Sequence, residues 1–346
     1  MTANVFKRLG AIIILLWLAV GLAACSNFVK GGDNRHNIPL SGGVVQGLRN
    51  MGSSPSESMM VRIYKEESVL EVWKKTGAGT FRLFKTYEIC AYSGDLGPKF
   101  KEGDRQSPEG FYTITPGLMN PRSSYYLAFN TGFPNKFDRV HGRTGSDLMV
   151  HGDCSSRGCY AMTDAGIAEI YALARESFKG GNTSFQLQIF PFRMTAANMA
   201  RHASSPHMDF WKNIKEGHDY FELTKTPPVW DVCQMKYIFN PASSGAALDA
   251  AGPCPPTLQN PALTAKLQAD EADFVNKAAA AQQAAERKAA EEAALKQRGE
   301  AVNGFFSGIG SGIGGMFGGN AGQNPNIAPV ITGKPATMPT PAGQRP

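Results

Sequence analysis

Hydrophobic and polar residues alternate through much of the first two-thirds of the chain, the period of strands with one face buried. VRIYKEESVLEVWKK has two alternating halves, Val61 and Ile63 then Leu70 and Val72, around a polar turn. That pattern predicts a hairpin. FRLFKTYEIC repeats the alternation, and FYTITP and SSYYLAFNTGF are further strand candidates. SDLMVHG reads as a buried strand ending at His151, and NTSFQLQIFPF alternates Phe185, Leu187 and Ile189 with Gln186 and Gln188. One stretch has the helical period instead. Thr163 can cap it, Asp164 sits in its first turn, and Ile167, Ile170, Tyr171 and Ala174 share a face up to Gly180-Gly181.

These patterns predict an α+β fold over residues 58–195, mostly β with one helix after a cysteine motif. A second helical stretch, MTAANMARHASSPHMDFWKNIKEG, makes residues 196–254 a helical extension, closed by Pro227-Pro228 and an edge-like MKYIFN. Residues 25–57 are rich in Gly, Ser and Asn and read as a tether. Residues 255–302 are rich in Ala, Glu and Lys but lack a sustained apolar seam, so they read as a solvated helix or spacer. Residues 303–346 are Gly- and Pro-rich and read as disordered. Phe305, Phe306, Ile309, Ile313 and Phe317 there are available to a membrane or partner.

Composition changes this picture little. The hydrophobic share of 42% supports a sizeable core, and the net charge of +6 is mild, with Lys7 and Arg8 in the leader. No basic block points to nucleic acid. The first residues say more. MTANVFKRLG is basic, AIIILLWLAV is apolar but too short for an ordinary transmembrane helix, and small residues precede Cys25. Residues 1–24 thus read as an export signal. Leu22-Ala23-Ala24-Cys25 resembles a bacterial lipobox, which implies cleavage before Cys25 and lipid on that residue. A plain signal or anchor with an incidental cysteine is the alternative. Ser26 suits sorting to the outer membrane, so the expected place is the periplasm, anchored by lipid.

An exported chain meets an oxidising compartment. With Cys25 set aside for lipid and Cys159 as a free thiol, four cysteines remain and allow three pairings. Cys233–Cys254 across a loop and Cys90–Cys154 are the expected pairs; the alternative for Cys90 is a small buried apolar residue.

The candidate chemistry sits at 151–159, HGDCSSRGC. A metal reading uses His151, Cys154 and Cys159, but the spacing matches no common zinc pattern. A Cys154–Cys159 disulfide closes a very small loop and leaves His151 unexplained. The third reading makes Cys159 a nucleophile and His151 its base. Gly158 lets the backbone turn sharply before the thiol, and amides of the Arg157-Gly158-Cys159 turn can face a developing oxyanion.

LMVHGDCSSRGCYAMTDAGIAEIY resembles the catalytic segment of the YkuD-type L,D-transpeptidase family, which carries an upstream His-Gly and then Ser/Thr-His-Gly-Cys. Ser156, Gly158 and Cys159 match the second element, and Arg157 stands where the usual histidine sits. SPEGFYTI resembles the family's Thr-Pro-x-Gly-x-Phe element. CAYSGDLGPKFKEGD, FNTGFPNKFDRVHGRTG, IFPFRMTAANMARH and DFWKNIKEGHDYFE resemble its YafK-like branch, so the likeness covers roughly residues 55–228.

The resemblance implies Cys159 as nucleophile, His151 as proton donor and acceptor, the Gly152 carbonyl orienting that imidazole, and Gly158 in the oxyanion turn. His141, which also precedes a glycine, is the alternative base. Otherwise His141, Arg143, Ser156 and Arg157 are the implied substrate contacts. The implied substrate is the peptidoglycan stem peptide, attacked at a meso-diaminopimelate amide through a thioester, with no cofactor. An amine acceptor makes the enzyme a transpeptidase; water makes it an amidase, and in this branch that activity is associated with an outer-membrane lipoprotein as partner. A non-catalytic, lipid-anchored peptidoglycan-binding scaffold is the reading from another class.

Overall fold

A computed structural model describes residues 33–156, 158–242 and 245–314. The expected lipidation site Cys25 lies outside the described residues, as does Arg157.

The segment read as a tether is partly folded. Gly42–Asn50 forms helix α1, with the Ser41 hydroxyl accepting the Val44 N–H at 3.3 Å. Val44 and Leu48, one turn apart, enter the main core. A serine cap and one apolar pair outweigh the Gly- and Asn-rich composition. Leu48→Ala should therefore cost about 2–5 kcal/mol in urea unfolding. A loss within about 0.5 kcal/mol, the range of ordinary surface changes, would return the segment to a tether.

The predicted hairpin is β1 (Met59–Tyr64) and β2 (Val69–Lys75), antiparallel, with Ile63 opposite Leu70. β3 (Phe81–Glu88) extends it, and β4 (Ala91–Tyr92) follows. Next come β5 (Gly110–Ile114), β6 (Met119–Asn120), β7 (Ala128–Asn130) and helix α2 (Lys136–Val140). β8 (Met149–His151), β9 (Tyr160–Ala161), helix α3 (Asp164–Lys179) and β10 (Phe185–Phe190) complete this part. Two five-stranded sheets result, in the orders β3-β2-β1-β10-β5 and β4-β9-β8-β7-β6. The pairs β1–β10 and β8–β9 are parallel. Val61, Leu70 and Leu187 of the first sheet share one core with Phe129, Val150 and Tyr160 of the second and Ile167, Ile170 and Leu173 of α3. The fold is α+β, with the helix after the cysteine motif built into the core.

The expected helical extension contains helix α4 (Ala196–Arg201) and helix α5 (Met208–Thr224). It is not wholly helical. Trp230–Cys233 (β11) and Lys236–Phe239 (β12) pair as an antiparallel hairpin, and Cys233 is disulfide-bonded to Cys254. Trp211 and Ile214 of α5 pack with Tyr64, Phe111 and Phe190 on the second face of the first sheet.

Pro261–Gly314 forms one helix, α6, so the expected break at residue 303 is absent; residues 315–346 lie outside the described residues. The compact unit that holds the sheets ends at Gln282, inside α6. Within that unit α6 is not a free spacer. Leu263 is buried, Asp270 pairs with Lys215 at 2.5 Å, and Lys212 lies 4.7 Å over the Phe274 ring. Composition alone hid this docking, because only a few residues of the helix carry it.

Candidate active site

β8 and β9 run side by side with Val150 opposite Tyr160 and His151 opposite Ala161. Val150 and Tyr160 are fully buried in the core. Since side chains alternate along a strand, His151 and Cys159 fall on the face away from it. Cys159 is the free cysteine among the described residues. Cys154 is bonded to Cys90, which removes it both as a metal ligand and as a partner for Cys159.

His151 Nδ1 lies 2.6 Å from the Gly152 carbonyl oxygen. A carbonyl only accepts, so Nδ1 carries the proton and Nε2 is left with its lone pair. Gly152 is itself clamped. Its N–H faces the carbonyls of Tyr125 at 3.0 Å and Leu127 at 3.2 Å. A Cβ on it would lie 2.5 Å from Asp164 Oδ1 and 3.0 Å from Tyr125 O. Asp164 Oδ1 accepts the Asp153 N–H at 2.9 Å, which ties the turn after His151 to the start of α3.

Cys159 is held through its own carbonyl. Cys159 O accepts from Ser156 Oγ at 2.7 Å and from Ser107 Oγ at 3.1 Å. The only proton on Ser156 Oγ is used there, so Ser93 Oγ donates to Ser156 Oγ across 3.0 Å. Ser107 Oγ also accepts the Ser93 N–H at 3.1 Å. Gly158 has φ +116, a backbone region open to glycine. Cys159 Sγ accepts the Met149 N–H at 3.4 Å and faces the Asp147 carbonyl at 3.7 Å.

Burial pushes the Cys159 thiol above its ordinary pKa; nearby Asp147 adds to this, while the Met149 N–H and Lys99 work against it. Burial also pushes His151 below its ordinary value, against the Gly152 carbonyl and Asp153. The resting pair at neutral pH is therefore thiol and imidazole, not thiolate and imidazolium.

Arg143, an implied substrate contact, is buried: it bonds Asp138 at 2.9 Å and lies between the rings of Phe100, Phe137 and Phe210. It braces the end of α2 and does not present a free cation. His141 follows α2 and turns back onto it, with Nδ1 2.9 Å from Phe137 O and its ring 4.2 Å from the Phe137 ring. Ser156 bonds the Cys159 carbonyl and so faces that backbone. Sequence reasoning missed Ser107, which bonds the Cys159 carbonyl, and Ser93, which bonds Ser156 and Ser107, although Ser107 opens the SPEGFYTI element.

Residues 55–182 match the YkuD family, the L,D-transpeptidase catalytic domain. The chain is 45% identical over 226 residues to YafK of Escherichia coli (strain K12), a protein named as a candidate L,D-transpeptidase; the match covers 65% of this chain and 89% of YafK. The chain belongs to the L,D-transpeptidase family. Among solved structures it is similar to the helical cell shape determining protein Pgp2 from Campylobacter jejuni, at 21% identity, covering 52% of this chain and 67% of that one, with a TM-score of 0.31. It is also similar to Bd1075 of Bdellovibrio bacteriovorus, at 23% identity over 49% and 62% of the two chains, with a TM-score of 0.28. Likenesses of that size do not bear on function.

The clamp on Gly152 makes a specific prediction for a member of this family. Gly152→Ala should displace the carbonyl that holds Nδ1 and slow acylation of Cys159 by about a hundredfold. Single-turnover labelling of Cys159 by an acyl donor measures it. A rate equal to wild type would show that the carbonyl does not orient the imidazole.

Proposed function

We propose that this chain is a cysteine enzyme of peptidoglycan remodelling that attacks a meso-diaminopimelate amide of the stem peptide through a thioester on Cys159. The observation that supports this best is the free thiol of Cys159, its carbonyl fixed by Ser107 and Ser156, on the same sheet face as an imidazole with Nδ1 locked on Gly152 O. The Cys159 sulfur adds to the amide carbonyl as its proton passes to His151 Nε2. The N–H groups of the Gly158–Cys159 turn stabilise the oxyanion. The C–N bond then breaks, the leaving amine takes the proton from Nε2, and the acyl group remains on sulfur. An amine acceptor completes a transpeptidation; water completes a hydrolysis. The expected setting is the periplasm, with lipid on Cys25 anchoring the chain to the outer membrane.

The test uses residues 33–346 incubated with purified sacculi, with soluble products and muropeptides read by mass spectrometry. New cross-links identify a transferase. Release of a peptide-linked lipoprotein fragment identifies an amidase. Binding to sacculi with no product in any fraction identifies a scaffold and overturns the enzyme reading.

A further inference from the structure

Tyr125 lies against the imidazole of His151, with ring centroids 4.7 Å apart and planes tilted by 36°. The tyrosine is 45% exposed while the histidine is 3% exposed, so the phenol ring stands between the imidazole and solvent. Its backbone serves the same group: Tyr125 O accepts the N–H of Gly152, whose carbonyl holds Nδ1. One residue thus touches the base directly and through the base's own partner.

The turn that carries Tyr125 is held from a distant part of the chain. Ser123 Oγ accepts the Tyr125 N–H at 3.0 Å, and Tyr126 has φ +66, unfavourable for a residue with a side chain. Arg35 donates to Ser123 O at 3.3 Å, and its guanidinium lies 5.3 Å from the Tyr126 ring centroid. The Arg35 segment is fixed in turn by Arg175 of α3, which donates to the carbonyls of His36 at 2.5 Å and Ile38 at 3.0 Å. The stretch read as tether therefore supports a wall of the site.

We propose that Tyr125 is a positioning residue for His151, limiting both its rotation and its hydration, and that Arg35 keeps Tyr125 in place through the 123–126 turn. The proposal rests on His151 being the base. The other groups around the imidazole are the Gly152 carbonyl, the Asp153 carboxylate on the following turn, Asp164 of α3 behind that turn, and Cys159 from the strand beside it. None of these groups is itself substituted in the Tyr125 and Arg35 variants.

The test is an NMR titration of the His151 ring in residues 33–346, with its signal assigned by its loss in His151→Gln. Water reaching the imidazole favours its charged form. Tyr125→Ala should therefore titrate at higher pH than wild type, Tyr125→Phe should match wild type, and Arg35→Ala should move in the same direction as Tyr125→Ala. Turnover on sacculi should fall about tenfold in kcat for Tyr125→Ala, with KM within about twofold. A purely structural role would lower the unfolding midpoint and leave the titration in place. An unmoved His151 titration in both Tyr125→Ala and Arg35→Ala overturns the proposal. The titration needs no substrate, so this outcome is separate from any failure of the peptidoglycan reading.

Discussion

Cys159→Ala should fold as wild type and lose product formation from sacculi by at least about a thousandfold. The thiol is half-buried and makes two weak contacts, to the Met149 N–H and the Asp147 carbonyl, so its removal takes away little packing. It takes away the sulfur that carries the acyl group in the proposed mechanism. His151→Ala should cost less, about a hundredfold to ten-thousandfold, because solvent can still take the proton slowly. The pH behaviour follows from the two displaced pKa values. In the proposed mechanism His151 must be neutral to act as base, and burial holds its pKa below the ordinary value. The acid limb of kcat/KM should then lie below the ordinary histidine range, with a plateau through neutral pH. Burial raises the thiol, so alkylation of Cys159 by iodoacetamide without substrate should keep accelerating above pH 9.0, the ordinary thiol value. Full activity in Cys159→Ala would end the thioester mechanism. An alkylation midpoint well below 9.0 would show a preformed thiolate.

β1, β2, β3 and β10 were readable from apolar and polar residues alternating in the sequence, although β1 is buried along its whole length because α5 covers the sheet's second face. β4, β6 and β9 are two residues long, too short to carry a pattern. The candidate site was readable where its residues are close in sequence. His151, Gly152, Gly158 and Cys159 lie within nine residues, and a strand, a turn and a helix fix them together. What stayed hidden is held by long-range contacts. Ser107 meets Cys159 across 52 positions, and Ser93 meets Ser156 across 63. Tyr125 reaches His151 only because β7 and β8 pair with Ala128 opposite His151. No periodicity encodes such pairings. Arg143 was misplaced for a related reason. A cation in a Gly-rich loop reads as available, and its burial depends on Asp138 and three aromatic rings brought there by α2, α5 and the loop at Phe100. The α1 and α6 errors have the opposite cause: composition averaged over a window concealed a few residues that dock.

Glu109→Gln should destabilise the catalytic unit by about 3–5 kcal/mol, a large part of the roughly 5–15 kcal/mol that holds a typical domain. Glu109 and Lys65 are both fully buried and pair at 2.9 Å. The same carboxylate accepts the Gly97 N–H at 2.7 Å and the Trp211 indole N–H at 2.9 Å. Three donors therefore converge on two oxygens. An amide in their place offers one acceptor and sets its own NH2 against a donor, while the Lys65 charge stays buried without its counterion. The Lys65 ammonium also donates to the carbonyls of Asp95, Gly97 and Ser107, so the pair ties the end of β1 to the segments that carry Ser93 and Ser107. Those serines hold the Cys159 carbonyl directly or through Ser156, and Tyr160 next to it donates to Pro108 O at 2.7 Å. Loosening the pair should therefore lower acylation of Cys159 as well as the unfolding midpoint. Lys65→Met alone should also be costly, since it leaves the Glu109 charge unpaired. The double variant, with both charges removed, should recover much of the loss, which a double-mutant cycle in urea measures. Additive losses in that cycle would show that the two groups act independently. A cost under about 1 kcal/mol for Glu109→Gln would show that the backbone bonds of these segments hold the nucleophile without the ion pair.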